Sequence, residues 1–304
     1  MRIVFMGTPE FAVPSLARLL ADGHSICAVF TQPDKPKGRK LLLSPPPVKA
    51  LALKAGLPIE QPVSLRGAQP MEALEHLAPE LIVVVAYGKL LPPEVLALPK
   101  HGCINIHASL LPKYRGAAPI QWAVLHGETE TGVTAMQMDA GLDTGDMLLQ
   151  ARLPIDEEVS AGELQAKLRA LGADLLSDSV KRLQAGTLTP QKQEDAHASY
   201  APLLTKALSP MQFSRTARQL HNQVRGLSPW PCAELLFEGR RLRVLKTRLA
   251  PEEDFRSEPG KIMREKNRLL LCCGDGKALE LLEVQPEGKR VMDAAAFLRG
   301  QSKC

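Results

Sequence analysis

The sequence predicts an α/β protein: an open, parallel sheet with helices on both faces, followed by a smaller β-barrel domain. Three observations support this fold class. Strand-like apolar runs alternate with helical patterns through the first half of the chain. The run Leu81–Ala86 is apolar throughout, which is typical of a strand covered on both faces. Short alternating runs separated by turn residues fill the last third.

The first domain is predicted from its strand and helix patterns, taken in chain order. The chain begins with an apolar run that stops at Gly-Thr-Pro, and the proline suits the first turn of a helix. The predicted strands are Arg2–Met6, Ser25–Phe30, Leu57–Glu60, Leu81–Ala86, Gly102–His107 and Gly132–Met138. The predicted helices are Pro9–Leu20, Val48–Ala55, Glu72–Leu77, Ala117–His126 and Ala161–Leu183.

Two segments lack periodicity. Gln32–Pro47 is rich in proline, lysine and arginine, and we expect it to form a long loop, a kind of segment that often carries function. Residues 186–208 are rich in polar residues and proline, which predicts an interdomain linker. The predicted domains are therefore 1–185 and 209–304.

The second domain is predicted to be a small β-barrel behind one helix, Thr216–Arg225. Turn sequences such as Gly-Asp-Gly separate its strands at regular spacing. The predicted strands are Ala233–Phe237, Leu242–Leu249, Gly260–Met263, Arg268–Cys273 and Leu279–Val284.

Charge is unevenly distributed between the two parts. From Thr205 onward there are 19 Lys and Arg against 12 Asp and Glu, a net charge of +7, whereas the first 204 residues hold 19 basic and 21 acidic residues. A basic C-terminal part indicates a phosphate-rich partner, and a merely solvated basic surface is the alternative.

The composition excludes several classes of protein. No apolar stretch approaches the roughly 18 residues that would indicate a membrane span, so no membrane association is expected. The six cysteines form no CxxC pair and no cluster with metal spacing, which indicates buried thiols in a reducing cytoplasm.

Asn105 and His107 are the first candidates for chemistry. They are two residues apart on a predicted strand, so their side chains share one face, and they lie at its carboxyl end, where open α/β sheets bind ligands. An amide can donate to a developing oxyanion, and an imidazole can donate a hydrogen bond or move a proton. Two such residues taken alone also suit a structural hydrogen-bonded pair.

Asp143 is the third candidate. Gly141 and Gly145 bracket it in a tight turn that would expose its carboxylate, where it could orient an imidazole. An ordinary acidic turn is the alternative. The spacing does not match an EF-hand loop, so a metal site is disfavoured.

With these segments the chain resembles the formyltransferase family that uses 10-formyl-tetrahydrofolate. The resemblance is carried by Asn105–Ile120 and Gly141–Asp146, and by the segments FMGTPEFAVPSL, FTQPDKPKGR, VVVAYGKLLP and LSPWPCA. It extends over nearly the whole chain, and is strongest to members that act on methionyl-tRNA.

The resemblance implies roles for residues and domains. Asn105, His107 and Asp143 align with the family's catalytic residues, and no metal is implied. The folate-binding segment aligns with Ser109, Leu110, Leu111 and Pro112. The loop that grips the acceptor stem of initiator tRNA aligns with residues 33–47, in which Lys35, Lys37, Arg39 and Lys40 are the candidate phosphate contacts. The implied architecture is a Rossmann-like domain followed by an OB-like barrel.

The expected function is therefore transfer of a formyl group from 10-formyl-tetrahydrofolate to the amino group of methionine on initiator methionyl-tRNA, by a cytoplasmic monomer. The alternative is another formyl-tetrahydrofolate-dependent transferase or hydrolase that acts on a small amine. A nonenzymatic RNA-binding protein with an OB-like barrel is disfavoured, since it would give no role to Asn105, His107 and Asp143.

Overall fold

A computed structural model describes residues 1–37, 42–250 and 257–301. The chain divides into two compact units. The first comprises residues 1–116, 132–153 and 165–200, and the second comprises residues 117–131, 154–164 and 201–304. Among the described residues, no helix has the length and apolar character needed to cross a membrane.

The strands and helices of residues 1–200 follow in chain order. The strands are β1 (Arg2–Gly7), β2 (Ser25–Phe30), β3 (Lys35–Lys37), β4 (Leu42–Ser44), β5 (Ile59–Glu60), β6 (Leu81–Val85), β7 (Cys103–His107), β8 (Glu130–Gln137) and β9 (Met147–Pro154). The helices are α1 (Val13–Ala21), α2 (Pro47–Lys54), α3 (Ala68–Leu77), α4 (Pro93–Ala97), α5 (Pro119–Leu125) and α6 (Ala161–Ala185), with short 3₁₀ helices at Glu10–Ala12 and Asp195–His197.

The first unit is built on a seven-stranded sheet of order β5-β2-β1-β6-β7-β8-β9. Strands β5, β2, β1, β6 and β7 are parallel, and β8 is antiparallel to β7. The chain extends the sheet to one side of β1 and then returns to its other side with β6. This places a topological switch point between β1 and β6, which is where open α/β sheets bind ligands.

Both faces of this sheet are buried, as the Rossmann-like prediction requires. On one face, strand residues such as Val84 and Cys103 pack with Leu74 of α3 and Val95 of α4. On the opposite face α6 passes so close to the sheet that a Cβ on Gly172 would lie 3.0 Å from Ile106 Cγ2. The α/β prediction is confirmed for this unit.

The second unit contains an antiparallel sheet of order β10-β11-β14-β13-β12, with β15 paired to β14, that curls into a half-barrel. Its strands are β10 (Ala233–Phe237), β11 (Arg240–Leu249), β12 (Ile262–Glu265), β13 (Arg268–Cys272), β14 (Ala278–Pro286) and β15 (Met292–Asp293). Its C-terminal part also holds α7 (Ala217–Gly226), α8 (Ala294–Gln301) and a 3₁₀ turn at Lys206–Leu208. The apolar faces of α7, α8 and the sheet form one core.

The prediction of a loop throughout Gln32–Pro47 was wrong at Lys35–Lys37 and at Leu42–Ser44, and its residues 38–41 lie outside the described part of the chain. The strands β3 and β4 pair there as an antiparallel hairpin, with Lys35 opposite Ser44 and Pro36 opposite Leu43. The segment lacks alternating apolar residues, and a proline that cannot donate to a ladder argues against a strand except at an edge. Side-chain hydrogen bonds at the hairpin base, described below, supply order that the pattern does not indicate.

Several other elements were missed or misplaced. Strand β9 was not predicted because its exposed Gln150 and Arg152 alternate with residues that are only half-buried, which gives a weak apolar pattern. Helices α4 and α8 and strand β15 are short, and α3 begins at Ala68 rather than Glu72.

Gly132 tests how closely β8 and β9 approach. A Cβ at this buried position would lie 2.1 Å from the Ala151 carbonyl oxygen, a backbone atom that cannot move without separating the strands. We expect Gly132→Ala to lower the free energy of unfolding by about 1–3 kcal/mol. Gly300→Ala is the matched control, since nothing lies within 4 Å of its Cβ position. Equal thermal midpoints for the two variants would contradict the close approach.

Candidate active site

Asn105 and His107 lie where the predicted ligand edge of the sheet begins. Asn105 pairs with Val84, one residue before the end of β6, and His107 extends past the last β6 residue that pairs with β7. Asn105 is half-buried, and its carboxamide makes no hydrogen bond to any residue in the described part of the chain. His107 is 6% exposed. The alternation along β7 directs both side chains to the same face as Cys103.

The His107 ring lies between two acceptors. Its Nε2 is 2.9 Å from the Tyr114 carbonyl oxygen, and because a carbonyl only accepts, Nε2 carries the proton in this contact. Its Nδ1 faces the Asp143 carboxylate, with Oδ2 at 3.6 Å. The same Oδ2 accepts a 2.8 Å hydrogen bond from the Gly116 backbone N–H. The structure therefore brings His107 and Asp143 together, as the sequence predicted.

Both residues that face the imidazole have left-handed backbone conformations. Tyr114 has φ of 62° and Asp143 has φ of 54°. Such conformations cost a residue with a Cβ about 1–3 kcal/mol and persist only where the surroundings impose them. Strain of this kind on both sides of one imidazole indicates a site held for function.

The turn that carries Asp143 is closed by its own side chains. The Asp139 carboxylate accepts hydrogen bonds from Gly141 N–H at 3.0 Å and from Thr144 Oγ1 at 2.7 Å. At its far end a Cβ on Gly145 would lie 1.8 Å from the Gln137 carbonyl oxygen. A glycine is therefore required at position 145, and the sequence-based prediction of a tight turn around Asp143 is confirmed.

The segment Ser109–Pro112 is shaped by hydrogen bonds from β8 and β9. Ser109 is fully buried and its Oγ donates to the Lys113 carbonyl at 2.6 Å. Thr134 Oγ1 donates to the Ser109 carbonyl at 2.7 Å and accepts from Leu111 N–H at 3.1 Å. Leu111 is buried, whereas Leu110 and Pro112 are half-buried. The latter two therefore present the more accessible surface of the segment.

Thr134 and Gln150 are site residues that the sequence analysis missed. Thr134 lies opposite His107 in the antiparallel β7–β8 pair, and Gln150 Nε2 donates to the Leu111 carbonyl at 2.9 Å and to Thr134 Oγ1 at 3.0 Å. To find these two residues, the sequence analysis would have had to predict that β8 runs antiparallel to β7 and that β9 exists. It predicted neither.

Two of the four candidate tRNA-contacting residues lie on strand β3. Lys35 is exposed on β3, Lys37 ends that strand, and Arg39 and Lys40 lie outside the described residues. Burial, and then the positive charge of Lys35, lower the pKa of the Lys89 ammonium, which donates to the carbonyls of Pro62 and Val63. Lys35 and Lys89 therefore share a positive region beside the hairpin.

The base of the hairpin is held by a paired carboxylate. Lys49 Nζ donates to both oxygens of Asp34 at 2.8 Å and to Gln61 Oε1 at 2.7 Å. Hydrogen bonds from Lys49 and then from Gln61 lower the pKa of the Asp34 carboxyl. Among the described residues, no group of three or more His, Cys, Asp or Glu is arranged to hold a metal ion.

Family models match most of the chain. Residues 1–180 match the family model for formyl transferase, and residues 203–302 match the model for the formyl transferase C-terminal domain. The chain belongs to the formyl transferase family.

The chain is also similar to individual proteins that carry a name. It is 49% identical over 304 residues to methionyl-tRNA formyltransferase of Caldanaerobacter subterraneus subsp. tengcongensis, covering 99% of this chain and 97% of the relative. It is 48% identical to the Geobacter sulfurreducens protein of the same name, over 99% and 94% of the two chains.

A solved structure shares the fold. The N-formyltransferase from Helicobacter canadensis, in complex with folinic acid and dTDP-3-aminofucose, has a TM-score of 0.70 and 21% identity over 93% of this chain and 98% of its own. At that identity the likeness supports the fold alone.

Thr134 offers a test of how the formyl transferase shapes the segment Ser109–Pro112. Thr134→Val keeps the side-chain shape and removes the hydroxyl, which leaves buried groups of Ser109 and Leu111 without that partner. We expect a loss of about 1–3 kcal/mol in the free energy of unfolding, together with a raised KM for formyl-folate. Thr134→Ser, which keeps the hydroxyl, is the control. If both variants were equally stable and had the same KM, the hydroxyl would not shape this segment.

Proposed function

We propose that this formyl transferase moves the formyl group of 10-formyl-tetrahydrofolate to the α-amino group of methionine on initiator methionyl-tRNA. The observation that carries the proposal is the 49% identity, over nearly the full length of both chains, to a protein named methionyl-tRNA formyltransferase. The alternative of a small-amine acceptor lacks support of that strength, because the sugar-binding neighbour is only 21% identical.

The residues at the end of β7 fit a formyl-folate. The Asn105 carboxamide is half-buried beside the His107 ring and has no hydrogen-bond partner in the described part of the protein, so a ligand would satisfy it. Leu110 and Pro112 offer half-buried apolar surface in the neighbouring segment. We assign Ser109–Pro112 to folate binding, with Ser109 and Leu111 shaping the segment from within. The folate supplies the formyl carbon that the amine attacks.

Asn105 is assigned to the formyl oxygen. As the methionine nitrogen bonds to the formyl carbon, negative charge develops on that oxygen, and an N–H donor already in place stabilises it. One such donor is typically worth about 3–4 kcal/mol of barrier. His107 was expected to share this task, but its Nε2 already donates to the Tyr114 carbonyl. The difference supports Asn105 as the principal donor.

His107 and Asp143 are assigned to the proton. The attacking amine loses a proton as the new C–N bond forms, and the folate nitrogen must gain one as its bond to the formyl carbon breaks. Asp143 lies against His107 Nδ1, so the pair can accept the first proton and return it to the leaving nitrogen. The amine must be neutral to attack, and no step uses a metal ion.

The basic residues are assigned to the tRNA. Lys35, Lys37, Arg39 and Lys40 would contact phosphates near the acceptor end, and the net charge of +7 from Thr205 onward supports residues 209–304 as a second tRNA-binding surface. We take residues 1–185 as the catalytic domain and 186–208 as the linker. Because its acceptor is a charged tRNA, we assign the enzyme to the cytoplasm, where it would act as a monomer.

Substitution of Asn105 tests the chemical assignment. Asn105→Ala should lower kcat about 100- to 1,000-fold with the fold intact, and Asn105→Asp should lower it at least as far because a carboxylate repels the developing oxyanion. Formation of N-formylmethionyl-tRNA from 10-formyl-tetrahydrofolate measures the rate. Gln69→Glu, which makes the same amide-to-carboxylate change on an exposed side chain of α3, is the matched control and should keep the wild-type rate. Wild-type kcat in Asn105→Ala would overturn the assignment.

Salt dependence tests the hairpin as a phosphate contact. Lys35→Ala should weaken methionyl-tRNA binding and reduce the slope of log K against log salt by about 1, as expected when one phosphate contact is lost. Lys54→Ala, an exposed lysine at the end of α2, should leave the slope unchanged. Binding titrations from low to high salt supply the slopes. Identical slopes for the two variants would remove Lys35 from the tRNA interface.

A further inference from the structure

Gln193 links two segments of the candidate site from within the predicted linker. Its Nε2 donates to the backbone carbonyl oxygens of Asp143 and Gly145, both at 2.8 Å. Its Oε1 accepts from Arg115 Nε at 3.0 Å. Only this orientation of the amide gives all three contacts a donor and an acceptor. One half-buried side chain therefore joins the turn of Asp143 to the loop after β7.

Arg115 restricts the position of the Gln193 side chain. The Arg115 side chain is 3% exposed and its terminal nitrogen pairs with Asp195 Oδ1 at 2.9 Å. A buried guanidinium held by two acceptors has little freedom, because any displacement would leave buried donors unsatisfied. The next residue, Gly116, donates its backbone N–H to the Asp143 carboxylate at 2.8 Å.

Asp143 is consequently held from two directions. Gly116 positions its carboxylate, and Gln193 positions its backbone. The contact between Asp143 and His107, on which the proposed chemistry depends, is longer than these hydrogen bonds, with Asp143 Oδ2 3.6 Å from His107 Nδ1. A small shift of the turn would therefore change how far the carboxylate supports the imidazole.

We propose that Gln193 is a positioning residue that sets the distance between Asp143 and His107 and thereby supports the chemical step. This inference rests on the proposed function, because it takes the Asp143–His107 pair as the proton-handling groups. Gln193 does not touch the substrates; it acts on kcat through the turn at residues 143–145.

The competing account is that Gln193 serves only as a buried acceptor for Arg115. Gln193→Glu separates the two accounts. The glutamate keeps an acceptor for Arg115 and adds a favourable charge, but it loses both donors and turns a carboxylate oxygen toward the carbonyls of Asp143 and Gly145. If Gln193 served only as a partner of Arg115, a glutamate at this position would give the wild-type kcat.

The test measures kcat, KM for methionyl-tRNA and for 10-formyl-tetrahydrofolate, and thermal midpoint. We expect Gln193→Glu to lower kcat on the order of 10- to 100-fold, as for small misplacements of catalytic groups, with each KM changed less than about threefold. Gln193→Asn keeps an amide on a shorter side chain and should fall between wild type and Gln193→Glu. Gln191→Glu makes the same chemical change on an exposed side chain two residues away and should match wild type.

The outcomes separate the inference from the proposed function when Asp143→Asn is measured alongside. A large loss of kcat in Asp143→Asn with wild-type kcat in Gln193→Glu overturns the positioning role and leaves the proposed function standing. Wild-type kcat in Asp143→Asn overturns the proton-handling assignment and the inference with it. Should Gln193→Glu fail to fold, Gln193→Asn decides: wild-type kcat there, or a rise in both KM values without a fall in kcat, overturns the positioning role.

Discussion

The imidazole of His107 is held between the Tyr114 carbonyl and the Asp143 carboxylate, and the rest of the site depends on this contact. The two partners come from different loops, one after β7 and one after β8, and both adopt left-handed backbone conformations. Neither loop would keep that conformation by its own preference. Hydrogen bonds from Thr134, Gly116 and Gln193 hold both loops in place.

Satisfaction of buried polar groups explains where a ligand fits. Ser109, Thr134 and Arg115 are all buried, and each has hydrogen-bond partners within the protein, as buried polar groups require. The carboxamide of Asn105, by contrast, is half-buried and has no hydrogen-bond partner within the described part of the chain. A substrate oxygen that accepts a hydrogen bond from this carboxamide would supply the partner that it lacks. This contrast supports the formyl oxygen as its partner.

Much of the fold and site was accessible from the sequence because the signals are local. The apolar run at Leu81–Val85 predicted a central strand, and the two-residue spacing of Asn105 and His107 predicted their common face. The glycines around Asp143 predicted its turn. The resemblance of Asn105–Ile120 to a formyltransferase motif then supplied the chemistry that the three polar residues could not establish by themselves.

What could not be predicted depends on contacts between distant residues. Gln193 reaches Asp143 across 50 positions of the chain, and nothing in its neighbourhood distinguishes it from the other polar residues of a linker. Thr134 meets His107 only because β8 runs antiparallel to β7. The β3–β4 hairpin forms without an alternating pattern, and the ion pair of Lys49 with Asp34 stabilises its base. The hydrophobic periodicity of a sequence does not indicate contacts between residues that are distant along the chain.

Identifying the acceptor of the formyl group tests the proposed function most directly. The measurement is kcat/KM for formyl transfer from 10-formyl-tetrahydrofolate to methionyl-tRNA, beside an amino-sugar nucleotide, glycinamide ribonucleotide and water as competing acceptors. We expect N-formylmethionyl-tRNA as the product, with a preference of more than about a thousandfold over each small amine, which is within the discrimination that a specific polar site can reach. Comparable kcat/KM with a small amine, or release of formate without transfer, would contradict it.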